Sequence, residues 1–242
     1  MDPNPNVIRD CDFQAGQLLL VDKPQDWTSF DVVKKIRYRL KKLLGVKKIK
    51  VGHAGTLDPM ATGLLLICTG KMTKQIDTYQ GQAKTYLGTL TLGATTPSYD
   101  KETPIDATFP TEHLAPERLE AAREAFIGDL QQLPPVYSAI KVDGVPLYKK
   151  ARKGIAVEVK PRPVQIYDFQ LTRIALPDVD FTVHCSKGTY IRSLAYDFGK
   201  AVDSGAYLSR LCRTQIGEYR LEEAWNLADL IRGLEELGEA KP

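Results

Sequence analysis

The 242-residue chain carries 33 Lys and Arg against 30 Asp and Glu, and 43% of it is hydrophobic, a balance that fits one large globular domain or one domain with a short appendage. Its polar, Pro-rich start, Met1 to Asn6, lacks the basic and apolar stretches of a secretory signal, and no apolar run is long enough to span a bilayer. The four cysteines, Cys11, Cys68, Cys185 and Cys212, form no Cys-x-x-Cys pair, which argues against a disulfide framework and for a reducing cytoplasm.

Residues 1–16 are expected to be a flexible arm, 17–220 one domain, and 221–242 a Leu- and Glu-rich tail of one or two short helices. Gln17 to Val21 is predicted to be a buried strand stopped by Asp22-Lys23-Pro24. Thr28 or Ser29 should cap a helix with Asp31 in its first turn. Val32, Val33, Ile36, Leu40, Leu43 and Leu44 give that helix its period, and Gly45 its end. Ile49 to Val51 and Leu64 to Cys68 are expected strands on either side of a Gly-rich turn. Ala83 to Leu92 alternates and is the clearest strand. Thr95 to Thr103 is loop, and Pro116 to Phe126 a helix opened by Pro.

Past the Pro134-Pro135 break, Pro146 to Arg152 is expected to be a short basic helix ended by Gly154. Val157 to Val159, Val164 to Thr172 and Val179 to Cys185 are expected strands, and Ile191 to Val202 a helix. Tyr207 to Tyr219 closes the pattern with a strand or two. This mixed order, without a regular βα repeat, predicts an α+β fold with a large, mostly antiparallel sheet flanked by helices.

Several chemistries are excluded at once. His53, His113 and His184 have no metal-ligand spacing, and neither a phosphate-binding Gly-x-x-x-x-Gly-Lys loop nor a Gly-x-Ser-x-Gly elbow is present. No cofactor and no metal are therefore expected. Four segments are dense in chemistry instead.

In Gly52 to Pro59, glycines permit sharp turns and Pro59 biases Asp58 away from the helical region, so the loop can hold one carboxylate in a fixed pose. Taken alone, an ordinary Asp-Pro turn is the commoner explanation. In Ser186 to Leu194, Arg192 sits in a helix's first turn, where the dipole disfavours it, so it is expected to face a carboxylate or phosphate; a solvated Arg is the rival. Pro134 to Lys141, with Tyr148 and Arg152, interleaves aromatic and basic residues as nucleic-acid surfaces do, or simply caps the core. The fourth segment, Lys34 to Lys50, is cationic with almost no acidic partners, which fits either phosphate binding or a solvated face.

Taken together and in order, these segments resemble the TruB family of tRNA pseudouridine synthases. Leu20 to Pro24 with Thr28-Ser29 resembles its opening motif, Gly52 to Pro59 its catalytic motif, and Lys84-Thr85-Tyr86 its Lys-x-Tyr motif. Gly93, Thr96 and Asp100 fit the loop that follows. Pro134 to Lys141, Ser186 to Leu194, and Gly205 to Gly217 with Leu211 and Arg213-Thr214 resemble three later motifs. The resemblance spans residues 17–220 and implies a long mixed sheet with a central cleft.

It also implies isomerisation of uridine to pseudouridine, at uridine 55 in the T loop of tRNA, with a flipped base. On that resemblance Asp58 is the nucleophile, Arg192 the cation that keeps it ionised, and Tyr86 the ring that stacks on uracil and helps remove the C5 proton. The sequence leaves open whether Asp58 attacks the ribose or first acts on it as a base. His53, Lys23, Asp100, Tyr137, Lys141 and Leu211 are the expected RNA contacts or pocket walls. Pro97 and Tyr99 depart from the family's polar loop, and the tail is too short for the RNA-binding PUA domain of many members.

The expected partner is a tRNA T stem-loop, with no membrane, no obligate protein partner and a monomeric state. Two rivals are a guide-RNA-dependent subunit resembling dyskerin, and a non-catalytic RNA-binding protein on the same scaffold. The trio of Asp58, Tyr86 and Arg192 speaks against the second, because binding alone does not need it.

Overall fold

The computed structural model describes residues 8, 10–138, 140–142, 144–151, 153, 155 and 159–239. Residues 1–7 and 9 of the arm expected at 1–16, the helix end at Arg152 and Gly154, and most of the strand expected at 157–159 lie outside the described residues, while Ile8 and Phe13 of that arm are buried in the core.

In chain order the main elements are β1 (Leu18–Lys23), α1 (Ser29–Leu44), β2 (Val51–His53), β3 (Thr62–Thr69), β4 (Lys84–Leu92), α2 (Pro116–Glu124), β5 (Gly128–Gln132), β6 (Arg162–Ala175), β7 (Asp178–Cys185), α3 (Ile191–Ala201), β8 (Ala206–Ile216), β9 (Tyr219–Arg220), β10 (Trp225–Asn226) and α4 (Leu227–Glu239). Short helices at Ile76–Gln80 and Leu147–Ala151 and two small hairpins complete the set. The chain forms two compact units, Met1–Thr85 with Cys212–Pro242, and Tyr86–Leu211. β4 and β8 each begin in one unit and end in the other.

In the first unit the strands run β10-β1-β3-β8, with β2 paired to β3 and β9 to β8. β1 is antiparallel to β3 and parallel to β10, while β8 is parallel to β3. Because β3 is covered on both faces, Gly63 through Thr69 are all buried, which is why the sequence shows a continuous apolar run there. Its period-two geometry still sorts the side chains. Leu65 and Ile67 join one core with Val21, Val32, Ile36 and Leu40, whereas Leu64, Leu66 and Cys68 join another with Ala54, Tyr79 and Ile216.

α1 is built as its sequence predicts. Thr28 and Asp31 form a reciprocal capping box, and Gly45 closes the helix in the left-handed conformation at φ 64°. The C-terminal segment makes a tight turn at Leu221–Glu223 and then α4. Leu227, Leu230, Ile231 and Leu234 of α4 complete the core under α1, and Arg39 of α1 pairs with Glu235. The tail is therefore part of this unit's core.

In the second unit the order is β8-β4-β7-β6-β5. β6 pairs antiparallel with both β7 and β5. Phe169 meets Phe126, Phe181 and Phe198 edge-on, and Phe126 meets Phe198 at a tilt. The sequence reading missed β5. Its residues, Gly-Asp-Leu-Gln-Gln, carry no apolar alternation, and they pair only with β6 as an edge strand. Strand pairing from β6, distant in sequence, holds this segment extended where local propensity would not.

Candidate active site

In the first unit, the loop from His53 to Pro59 leaves β2 and is held at several backbone points. Ala54 N–H donates to Leu66 O at 2.9 Å. Leu57 N–H donates to Ser29 Oγ at 2.9 Å, and Ser29 Oγ donates back to Leu57 O at 3.2 Å. Pro59 O accepts from Asp26 N–H at 2.8 Å, and Asp58 O from Ala61 N–H at 3.1 Å.

Two buried cations complete the clamp. Arg213, on β8 and 1% exposed, donates Nε to Leu64 O at 2.8 Å and a terminal nitrogen to Gly55 O at 3.0 Å. Gly63 lies against the Arg213 backbone at φ 101°, where a side chain would collide with it. Lys23, with no exposed surface, donates Nζ to Trp27 O at 2.6 Å, Pro24 O at 2.8 Å and Pro59 O at 3.3 Å.

Burial pulls the Lys23 ammonium down to about 8, against the attraction of Asp58, Asp26 and Asp22. Asp58 is thus close enough to feel this cation. His53 is half-buried, and desolvation together with the Arg213 charge lowers its pKa. Lys23, expected as a pocket wall or an RNA contact, thus spends its charge on three protein carbonyls.

In the second unit, Arg192 lies in the first turn of α3 and is 3% exposed. Its guanidinium donates to Ser98 O at 3.1 Å and Tyr137 O at 2.9 Å and lies 3.5 Å from Asp100 Oδ2. The expectation that an arginine at a helix start faces a carboxylate is met by Asp100.

Asp100 is itself 1% exposed. Its Oδ1 accepts from Ser98 Oγ at 2.6 Å and from Glu102 N–H at 2.8 Å. Asp100, expected among the RNA contacts, is thus a buried brace between its loop and Arg192. Tyr137 contributes its backbone carbonyl, with its ring half-buried.

The start of α3 is fixed by a residue the sequence reading did not single out. Gln132, on β5, donates Nε2 to Tyr190 O at 3.0 Å and accepts from Tyr190 N–H at 2.7 Å, a two-way grip on the residue that caps the helix. Tyr99, the departure noted in the loop, has φ 63° and stacks on Tyr196 of α3 at 3.9 Å between ring centroids. Burial pushes its hydroxyl up to about 12. The loop that carries Asp100 and the helix that carries Arg192 are thus joined twice. Tyr86 and Leu211 are buried at 8% and 6% exposure, and the side chain of Lys141 lies outside the described residues.

The first unit thus holds a carboxylate on a clamped loop and the second a braced, buried guanidinium, and the comparison with known proteins decides the family. The model of the TruB family pseudouridylate synthases, N-terminal domain, matches residues 41–191. The chain belongs to the TruB family. It is 58% identical over 214 residues to tRNA pseudouridine synthase B of Flavobacterium johnsoniae, covering 88% of this chain and 93% of that one. It is 53% identical over 224 residues to tRNA pseudouridine synthase B of Phocaeicola vulgatus, covering 93% and 95%.

Among solved structures, a Cbf5-Nop10-Gar1 complex matches with a TM-score of 0.68 at 28% identity, over 91% of this chain and 54% of that chain. This TruB chain thus spans about half the length of that solved chain, and nearly all of the two tRNA pseudouridine synthase B relatives. Arg213, Ser29 and Gln132 are the site residues that sequence reasoning missed. Arg213 and Ser29 stand inside family motifs, but their work is done on backbone carbonyls that no motif reveals.

Proposed function

We propose that this chain isomerises uridine to pseudouridine in the T loop of tRNA, at position 55, with Asp58 as the catalytic carboxylate. The observation that carries this is the Asp58 loop, gripped through Leu57, Pro59 and Gly55, in a chain that matches the TruB family over most of its length. A rigid loop costs little reorganisation when the substrate arrives, and preorganisation is where most catalytic advantage arises.

The reaction breaks the N1–C1′ bond, turns the uracil and joins C5 to C1′. N1 takes up a proton and C5 gives one up, so no atoms are gained or lost and no cofactor is needed. Tyr86 is proposed to stack on the flipped uracil and assist the C5 proton transfer, and Arg192 to supply the guanidinium of the catalytic set. Asp100, Gln132, Lys23 and Arg213 are proposed as positioning residues, because each acts on the protein itself. His53, Tyr137, Lys141 and Leu211 remain the proposed walls and contacts of the substrate. The chain is proposed to act in the cytoplasm, as a monomer, without a guide RNA or an obligate protein partner. No helix among the described residues is long and apolar enough to cross a membrane.

The test is purified protein with an unmodified T stem-loop, read by pseudouridine-specific chemistry. Product without added RNA or protein supports the proposal. Product only with a guide RNA favours the subunit reading, and tight binding without product favours a non-catalytic RNA-binding role.

A further inference from the structure

Residues 34–50 contain nine Lys and Arg and no Asp or Glu, in a chain whose net charge is only +3. The rest of the chain is therefore net −6, and the small total conceals a concentrated positive surface. Because α1 buries Val32, Val33, Ile36 and Leu40, its cations fall on the opposite side. Phe30, Lys34, Arg37 and Lys41 recur at helical spacing. The Lys34 ammonium sits 4.8 Å from the centroid of the exposed Phe30 ring.

Past Gly45, Lys47, Lys48 and Lys50 join Arg37 and Lys41 in lining one cleft of about 800 Å³. Lys48 and Lys50 also line a second groove of about 250 Å³ with Lys71 and Lys74. Arg37 donates to Val51 O at 2.8 Å, which pins α1 to β2 and fixes the cleft's walls. Lys41, Lys47, Lys48, Lys50, Lys71 and Lys74 are exposed. On α1 the ion pairs are Lys34 with Asp31 and Arg39 with Glu235, and among the described residues none of those six lysines has an acidic partner.

An ordinary solvated helix face intersperses both signs. Here one sign gathers along a concave surface, without counter-charge. That arrangement fits a polyanion whose charges repeat along a backbone.

We propose that the cleft lined by α1 and the Lys47–Lys50 segment is a docking site for the phosphate backbone of an RNA stem. The proposal rests on the reading of this chain as an enzyme acting on RNA, and adds a second contact region to it. Lys50 leads directly into β2, whose last residue, His53, begins the Asp58 loop. Phosphates held here would set the register of the stem and leave base recognition to the loop.

The test compares Lys47→Gln/Lys48→Gln/Lys50→Gln with a charge-matched control, Arg173→Gln/Arg210→Gln/Arg232→Gln, all six positions being exposed. Binding of a T stem-loop hairpin is measured from about 50 to 200 mM salt, the range over which phosphate contacts weaken strongly. The lysine variant should bind about tenfold more weakly, with a log–log salt slope shallower by about 2 to 3, while the control keeps the wild-type slope. An unchanged slope and affinity in the lysine variant would overturn the docking site. If wild-type protein still makes pseudouridine in that case, the catalytic reading survives alone. Lost affinity with no product from the wild type would uphold the surface and sink the catalytic reading. Loss of binding to vesicles of phosphatidylglycerol and phosphatidylcholine, with RNA affinity intact, would overturn the proposal in favour of a membrane surface.

Discussion

The surroundings of Asp58 and those of Arg192 use buried charge in opposite ways. Around Asp58, two buried cations serve the backbone: Lys23 takes three carbonyls and Arg213 takes two. Around Arg192, a buried carboxylate serves a cation, and Asp100 is in turn locked by Ser98 and Glu102. The first arrangement is rooted in β1 and β8, the second in loops near residues 98 and 137 joined to α3. A charged residue in a conspicuous motif is therefore not necessarily a substrate contact. Here Lys23, Arg213 and Asp100, all inside motifs, hold the shape of loops.

The sharpest way to break this contrast is to remove a charge said to face substrate. Asp58→Asn keeps the loop's backbone bonds. It should leave RNA affinity within about threefold, yet lower single-turnover pseudouridine formation on the order of 10⁴-fold, the scale seen when a covalent catalytic group is lost. Appreciable turnover by this variant would end the assignment. Arg192→Lys should fall next, by roughly 10²-fold in kcat, because one ammonium cannot reproduce the fork that meets Ser98 O, Tyr137 O and Asp100. The burial of Arg192 adds a cost of about 1–2 kcal/mol, readable by urea denaturation.

The scaffold side of the contrast makes a different demand. Arg213→Met strands two carbonyls in the first unit's core and should cost about 3 kcal/mol of stability. Arg213→Lys should recover only part of that. Gly63→Ala combines φ 101° with a collision at the Arg213 backbone and should cost about 2 kcal/mol. If either variant kept full stability while losing activity, Arg213 would belong with the substrate groups and the contrast would fail.

The sequence announced what local chemistry controls. α1 carries its cap, its stripe and its stop in adjacent residues, and β3 carries its burial in an unbroken apolar run. The Asp58 loop, taken alone, reads as an ordinary Asp-Pro turn, and only its place among ordered family motifs singles it out. β5 was not legible, because Gly128 to Gln132 is extended only through pairing with β6. The roles of Lys23, Asp100 and Gln132 were hidden for the same reason. Their partners are carbonyls and amides brought close by folding, 58 residues away in the case of Gln132 and Tyr190. Motif order identified the family, while the division of labour inside the motifs needed coordinates.

Lys23 gives the most direct test of its scaffold role. Its pKa is about 8 in the folded protein and returns to about 10.5 when the chain unfolds. Between those values the unfolded chain binds the proton that the folded one has released, so stability rises with pH through that window. Below pH 8 both states are protonated, and the full desolvation cost of the buried ammonium is present. Lys23→Met removes the titration. The wild-type stability minus that of Lys23→Met, measured by urea denaturation, should therefore be level below pH 8 and climb between pH 8 and 10.5. A flat difference would mean that Lys23 is not held as an ammonium against its own burial. The three carbonyls at Pro24, Trp27 and Pro59 would then need another account of why they converge on a lysine at all.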